Sequence, residues 1–165
     1  MTSDSDQWTA WFDRHGPALI LLARQWIFDR AIAEDIVQEA FVRFWQARMD
    51  AKDPAAYLYA CVKHCALDWL RGRQRRSRRE AGAAHAEISP LFTGSLEQAE
   101  RRNAIAAALC DLPEEQREVV VMKIWGGLSF PQIAEALEIL PNTAASRYRY
   151  ALAKLREQLA EEAIT

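Results

Sequence analysis

Residues 129–155 read SFPQIAEALEILPNTAASRYRYALAKL, and the way this stretch folds decides the architecture. Ser129 followed three residues later by Gln132 is a capping-box signature, so a short helix begins at the serine and runs through FPQIAEAL. A tight turn follows, and Pro141 suits the first turn of the next helix. A short helix, a turn and a second helix make a helix-turn-helix. With about 100° between successive residues, one stripe of the second helix gathers Ala144, Tyr148, Ala151, Leu152, Leu155 and Leu159. Ser146, Arg149, Tyr150, Ala153 and Lys154 fall on the other side, with Arg147 on a flank. The Arg-Tyr-Arg-Tyr alternation is therefore divided, one tyrosine packing and the other projecting. Ala144 and Ala145 keep the start of the helix slim enough for a major groove about 12 Å wide, where arginine grips guanine edges or phosphates. The competing reading is an amphipathic helix with a solvated basic face; the preceding turn favours DNA.

Working outward, the rest of the 165-residue chain is also helical in pattern. Gly and Pro number six each, no apolar/polar alternation is sustained, and apolar residues recur at helical spacing. Helices are predicted over residues 8–28, 31–46, 54 into the arginine-rich run, 96–110, 113–125, 129–137 and 141–160. Residues 80–94, EAGAAHAEISPLFTG, carry no apolar period, and Ser95 with Gln98 forms a capping box for the helix that follows. The expectation is an all-α chain of two small helical domains, residues 1–79 and 96–165, joined by a flexible linker over 80–95.

Composition narrows the function. Half the residues are hydrophobic, enough for real cores, while no apolar stretch approaches a membrane span and MTSDSDQW lacks the regions of a signal peptide. A cytoplasmic protein without membrane insertion is expected. Cys61, Cys65 and Cys110 are odd in number and unframed, as in a reducing compartment. The net charge of −2 argues against a chain coated in nucleic acid, but Arg71, Arg73, Arg75, Arg76, Arg78 and Arg79 concentrate positive charge at one place. No Gly-rich phosphate loop, no paired nucleophile and base and no metal cluster stands in the sequence. Catalytic residues, cofactors and metals are accordingly expected to be none.

Two helices carry side chains that a small bundle does not require. On the second, Ala33, Ile36, Val37, Ala40 and Phe44 form a core stripe, whereas Val42 and Trp45 fall opposite, among Asp35, Gln38 and Glu39. A tryptophan ringed by polar groups is the pattern of an interface anchor. On the third, Tyr57, Leu58, Cys61, Val62, Cys65 and Trp69 are placed in the core stripe, with Tyr59 and Lys63 facing away and His64 at the edge. Cys61, His64 and Cys65 adjoin on the helix, but both thiols lie on the core side and no second pair completes a zinc site. Tyr59, Lys63, His64 and the arginines set aromatic faces beside cations, the pairing that stacks unpaired bases and neutralises phosphates.

Three blocks in this order, AEDIVQEAFVRFWQA, AYLYACVKHCALDWLRGRQRR and LPEEQREVVVMKIWGGLSFPQIAEALEILPNTAASRYRYALAKLR, resemble the successive signatures of bacterial sigma-70-type factors of the extracytoplasmic-function group. The resemblance implies a sigma factor that binds core RNA polymerase and directs promoter-specific initiation. Asp35, Gln38, Glu39, Val42 and Trp45 would dock on the clamp helices of the largest catalytic subunit. Tyr59, Lys63, His64, Arg71, Arg73, Arg75 and Arg76 would recognise and melt the −10 element. Asn142, Thr143, Ala145, Ser146, Arg147, Arg149 and Tyr150 would read the −35 element. The implied partners are core polymerase at its clamp helices and flap region, promoter DNA as duplex and as melted −10 strand, and an anti-sigma factor as a further candidate. The sequence departs from the family where His64 replaces a common asparagine, Asn142 a frequent glycine, and Ala144-Ala145 a valine followed by a basic residue. Leu140 stands where serine or proline is common and has no side-chain oxygen for an N-cap. The competing functions are a helix-turn-helix repressor or activator that replaces no sigma factor, and a helical adaptor.

Overall fold

The computed structural model describes residues 3–77 and 105–164, all of whose regular elements are helices. The chain divides into two compact units, one holding α1 (Asp4–Ala23), α2 (Arg30–Ala47) and α3 (Pro54–Ser77). The other holds α4 (residues 105–110), α5 (Glu114–Val120, continued by a π turn over Val121–Trp125), α6 (Phe130–Leu137) and α7 (Pro141–Ile164). The predicted linker, the Ser95 capping box, Arg78 and Arg79 lie outside the described residues. No helix among the described residues is long and apolar enough to cross a membrane.

In the first unit α1 starts four residues before the predicted helix. Ser3 and Asp6 form a capping box, Asp6 N–H donating to Ser3 Oγ at 3.2 Å and Ser3 N–H to Asp6 Oδ2 at 3.3 Å. The helix ends at Ala23, five residues early, in a turn closed by Gln25 N–H to Leu22 C=O and Trp26 N–H to Ala23 C=O. Asp29 caps α2 through Ile32 N–H, and Asp53 caps α3 through Ala56 N–H. Pro54 takes the first helical position, where its missing N–H would have had no partner in the helix.

An aromatic seam joins α1 to α2. Trp8 meets Phe41 edge-on with ring centroids 4.5 Å apart and Trp45 at 5.2 Å, Trp11 lies 5.1 Å from Phe44, and Phe12 lies 5.5 Å from Phe41. Each such pair is worth about 0.5–1.5 kcal/mol beyond its area. One turn beyond Trp11 on α1 the buried His15 Nδ1 lies 2.9 Å from the hydroxyl of Tyr59, on α3. Burial, with the charge of Arg14 secondary, lowers the His15 pKa from 6.5 to about 4. Burial also raises that of Tyr59. A neutral imidazole and a neutral phenol therefore face each other across the core.

The second unit is built around a continuous apolar run. Val119, Val120, Val121 and Met122 are all buried, which a regular helix with neighbours on one side does not permit. The π turn widens the coil at this point, with Gly126 N–H reaching back to Val121 C=O at 3.0 Å. The Ser129–Gln132 capping box is present, Ser129 N–H donating to Gln132 Oε1 at 2.9 Å and Gln132 N–H to Ser129 Oγ at 3.3 Å. α7 packs on α5 and α6 through Ala144 and Ala151, both without exposed surface, and Tyr148 meets Phe130 edge-on at 5.6 Å.

Replacing Tyr59 by Phe leaves the buried imidazole nitrogen without its partner and is expected to lower unfolding free energy by about 1–3 kcal/mol in urea titrations. Folded His15 has the depressed pKa, so the unfolded chain binds the extra proton: this contribution is intact above pH 6.5 and is lost as the pH falls towards about 4. His15→Phe should flatten the pH dependence of the urea midpoint across that window.

Candidate functional site

Side chains on α2 divide into two populations. Ala33, Ile36, Val37, Ala40, Phe41 and Phe44 are buried, and the Glu34 carboxylate, also buried, is held by Arg30 Nε at 3.1 Å. Asp35, Gln38, Glu39 and Val42 are exposed, Glu39 pairing with Arg43 at 2.8 Å along the helix. Exposed ion pairs of this kind contribute little to stability, so that face is available to a partner. Trp45 is not on it. The indole is half-buried, resting on Trp8 and stacked beside Phe41, with the Arg48 guanidinium 3.7 Å above its ring. Arg48 also donates to the Trp45 carbonyl and pairs with Asp4 of α1 at 3.0 Å. Phe41, absent from the predicted stripe, is fully buried and turns the core face towards Trp45.

The expected exposure of Tyr59 is overturned in the same way. Its ring is completely buried against His15, so it is unable to meet DNA from the folded unit. Tyr57, placed in the core by the sequence reading, is exposed instead, and exposed His64 sits two turns further along the same helix side. The Tyr57 hydroxyl is paired with Cys61, the main cause of its raised pKa. Burial pushes the Cys61 and Cys65 thiols up as well, which keeps them protonated. Lys63 is half-buried; Arg71, Arg73 and Arg75 are exposed, Arg71 pairing with Asp68 at 3.3 Å. The Arg76 side chain lies outside the described residues.

On α7 Ala144 and Ala151 are buried as the periodicity predicts, while Tyr148, Leu152 and Leu155 of the predicted inner stripe, and Ser146 of the predicted outer face, are half-buried. Asn142, Arg149 and Tyr150 are exposed, Tyr150 by 68%, and Thr143, Ala145, Ser146 and Arg147 are half-buried along the flank. Arg149 donates to Ser146 Oγ at 3.2 Å, which lays its guanidinium along the outer face of the helix. The turn into α7 is fixed by Glu138 in the left-handed region, φ 56°, and by Ile139 N–H bonded to Ala134 C=O. Together these features form a helix-turn-helix whose second helix shows amide, guanidinium and aromatic groups to solvent.

Residues 11–76 match the family described as Sigma-70 region 2, and residues 102–155 match Sigma-70, region 4. The chain belongs to the sigma-70 family. It is 33% identical over 162 residues to the ECF RNA polymerase sigma factor SigL of Mycobacterium tuberculosis, covering 94% of this chain and 90% of that one. It is 30% identical over 145 residues to the RNA polymerase sigma-E factor of Streptomyces coelicolor, covering 86% and 80%. Among solved structures it resembles CnrH, determined in complex with the cytosolic domain of CnrY, with a TM-score of 0.66 at 25% identity over 93% of this chain and 88% of that one. The fold is shared with the sigma factor RpoE of Bartonella quintana, TM-score 0.67 at 23% identity over 93% and 97%. The chain is thus a sigma factor of the extracytoplasmic-function group, which directs promoter-specific initiation by core RNA polymerase; the repressor and adaptor readings give way to it.

Trp45 and Val42 separate packing from surface on this sigma factor. Trp45→Ala is expected to lower unfolding free energy by about 1–3 kcal/mol, less than a fully buried tryptophan would lose. Val42→Ala should shift it by no more than about 0.5 kcal/mol. Urea titrations of the two variants check the contrast.

Proposed function

We propose that the first unit grips core RNA polymerase through the outward face of α2, and that the second unit sets α7 in the major groove of the −35 element. Asp35, Gln38, Glu39 and Val42 supply the polymerase contact at the clamp helices, with the free edge of Trp45 at its rim. On α3, Lys63, His64 and the arginines from Arg71 onward hold the −10 region, where exposed Tyr57 offers the stacking ring that Tyr59 does not. Asn142, Thr143, Ala145, Ser146, Arg147, Arg149 and Tyr150 form the duplex-reading surface. Residues 1–79 and 96–165 act as the two working domains, with 80–95 between them. The chain contributes binding and strand capture, the polymerase supplies the chemistry, and the site of action is the cytoplasm. The polymerase flap and an anti-sigma factor are further partners under this reading.

The observation that carries the proposal is the division of α7. Ala144 and Ala151 are flush with the core while Asn142, Arg149 and Tyr150 stand clear on the other side of the same helix. A surface of amide, guanidinium and aromatic groups on the second helix of a helix-turn-helix matches the donor and acceptor pattern of base edges and phosphates.

Purified protein added to core polymerase should produce transcripts from a defined start on a genomic template library, and core alone should not. Absence of any factor-dependent start would overturn the reading. Within that assay, replacing Arg147 and Arg149 together by Ala is expected to reduce promoter-directed transcripts by about tenfold or more and to flatten the salt dependence of promoter binding. Core binding, followed by co-elution, should stay unchanged.

A further inference from the structure

The turn that opens α7 carries a large aliphatic side chain where a polar one would serve the helix better. Residue 140 holds the N-cap position: its carbonyl accepts Ala144 N–H at 3.1 Å. Serine, threonine, aspartate or asparagine there would also satisfy one of the free N–H groups of the first turn, which leucine does not. Leu140 is 71% exposed, whereas its neighbour Ile139 is half-buried. Its position is held from both sides. Glu138 at φ 56° and the Ile139 to Ala134 hydrogen bond fix the chain before it, and the Pro141 ring fixes the backbone after it.

A single exposed leucine is ordinary on a protein surface. Leu140 differs in three respects: its backbone is rigidly placed, it forfeits a cap, and it stands two residues before exposed Asn142 at the start of α7. In a helix-turn-helix it is the amino-terminal end of the second helix that meets base edges. The only apolar group that a base pair offers in the major groove is the 5-methyl of thymine.

We propose that Leu140 is a sequence-reading residue whose methyl groups pack on the 5-methyl of a thymine in the upstream promoter duplex, next to the base pair that faces Asn142. The proposal rests on the reading that α7 enters the major groove. It adds to the polar contacts a preference that hydrogen bonding alone does not supply, since deleting the methyl leaves every Watson–Crick partner unchanged.

The test uses holoenzyme assembled from the full chain and core polymerase, on a promoter found by start-site mapping. Upstream thymines are replaced one at a time by deoxyuridine, which removes the methyl and keeps the pairing. At one position the unaltered factor should lose about fourfold in affinity, the effect of one buried methyl group. Leu140→Ser should bind the thymine and deoxyuridine probes equally at that position. If the promoter is bound, yet no replacement weakens the unaltered factor, or Leu140→Ser responds to deoxyuridine as the unaltered factor does, the proposal is wrong and the wider reading stands. If Arg147→Ala with Arg149→Ala also leaves upstream binding intact, α7 does not read the duplex and both fall.

Discussion

The aromatic seam between α1 and α2 is the interaction on which the first unit depends. A helix has about a 100° stripe to give to a core, and α2 widens that stripe by presenting Phe41 and Phe44 to Trp8, Trp11 and Phe12. Large rings meeting edge-on bury much area from few positions, which matters in a unit of this size, where surface is high relative to volume. Because α1 and α3 together cover the inner side of α2, the outer side needs no partner from another helix. Asp35, Gln38, Glu39 and Val42 are left in solvent by the same packing that stabilises the bundle. The His15–Tyr59 contact then ties α3 to α1, and so carries the seam's restraint into the helix that bears the arginines.

The second unit reaches a similar division with small side chains in place of large ones. Ala144 and Ala151 bring the α7 backbone close to α5 and α6, and Tyr148 fills the space beside Phe130, which also meets the Lys123 ammonium 4.7 Å from its ring. The π turn from Val121 to Trp125 lets four consecutive apolar residues turn inward, so α5 acts as a platform for both helices of the helix-turn-helix. A slim inner face on α7 leaves its outer face unobstructed.

How much of this was legible depended on whether the deciding contact was local. The cap at Ser129, the proline starts at Pro54 and Pro141, and the inward placing of Ala144 and Ala151 on α7 are set within a few residues, and all were readable. The start of α1 was not, because Ser3 is answered by Asp6, whereas the capping-box signature carries Glu or Gln at that position. On α3 the predicted stripe from Tyr57 to Trp69 is centred near Cys65; the buried set is centred near Val62, about 60° away at 100° per residue. Ala66 carried too little bulk to correct this, and the group that selects Tyr59 over Tyr57 is His15, 44 residues distant. Trp45 went astray for the same reason: Trp8 and Asp4, which draw it and Arg48 inward, belong to another helix. The residues misplaced are those whose orientation is chosen by a distant partner, and they cluster at the borders between core and surface faces.

Trp45 shows why such a border position suits a binding surface. An exposed indole that must be ordered on docking gives up rotamer freedom, about 0.5–1.5 kcal/mol for a side chain immobilised at an interface. Here that freedom is already restricted in the free protein. Trp8 supports one edge of the ring, Arg48 covers a face, and Asp4 holds the Arg48 guanidinium in place. The part of the indole left in solvent is therefore held in a fixed orientation, so under the proposed polymerase contact it would be preorganised and not assembled on encounter. The same arrangement ties Trp45 to the stability of the bundle, whereas Val42, Gln38 and Asp35 are exposed and carry less of the packing.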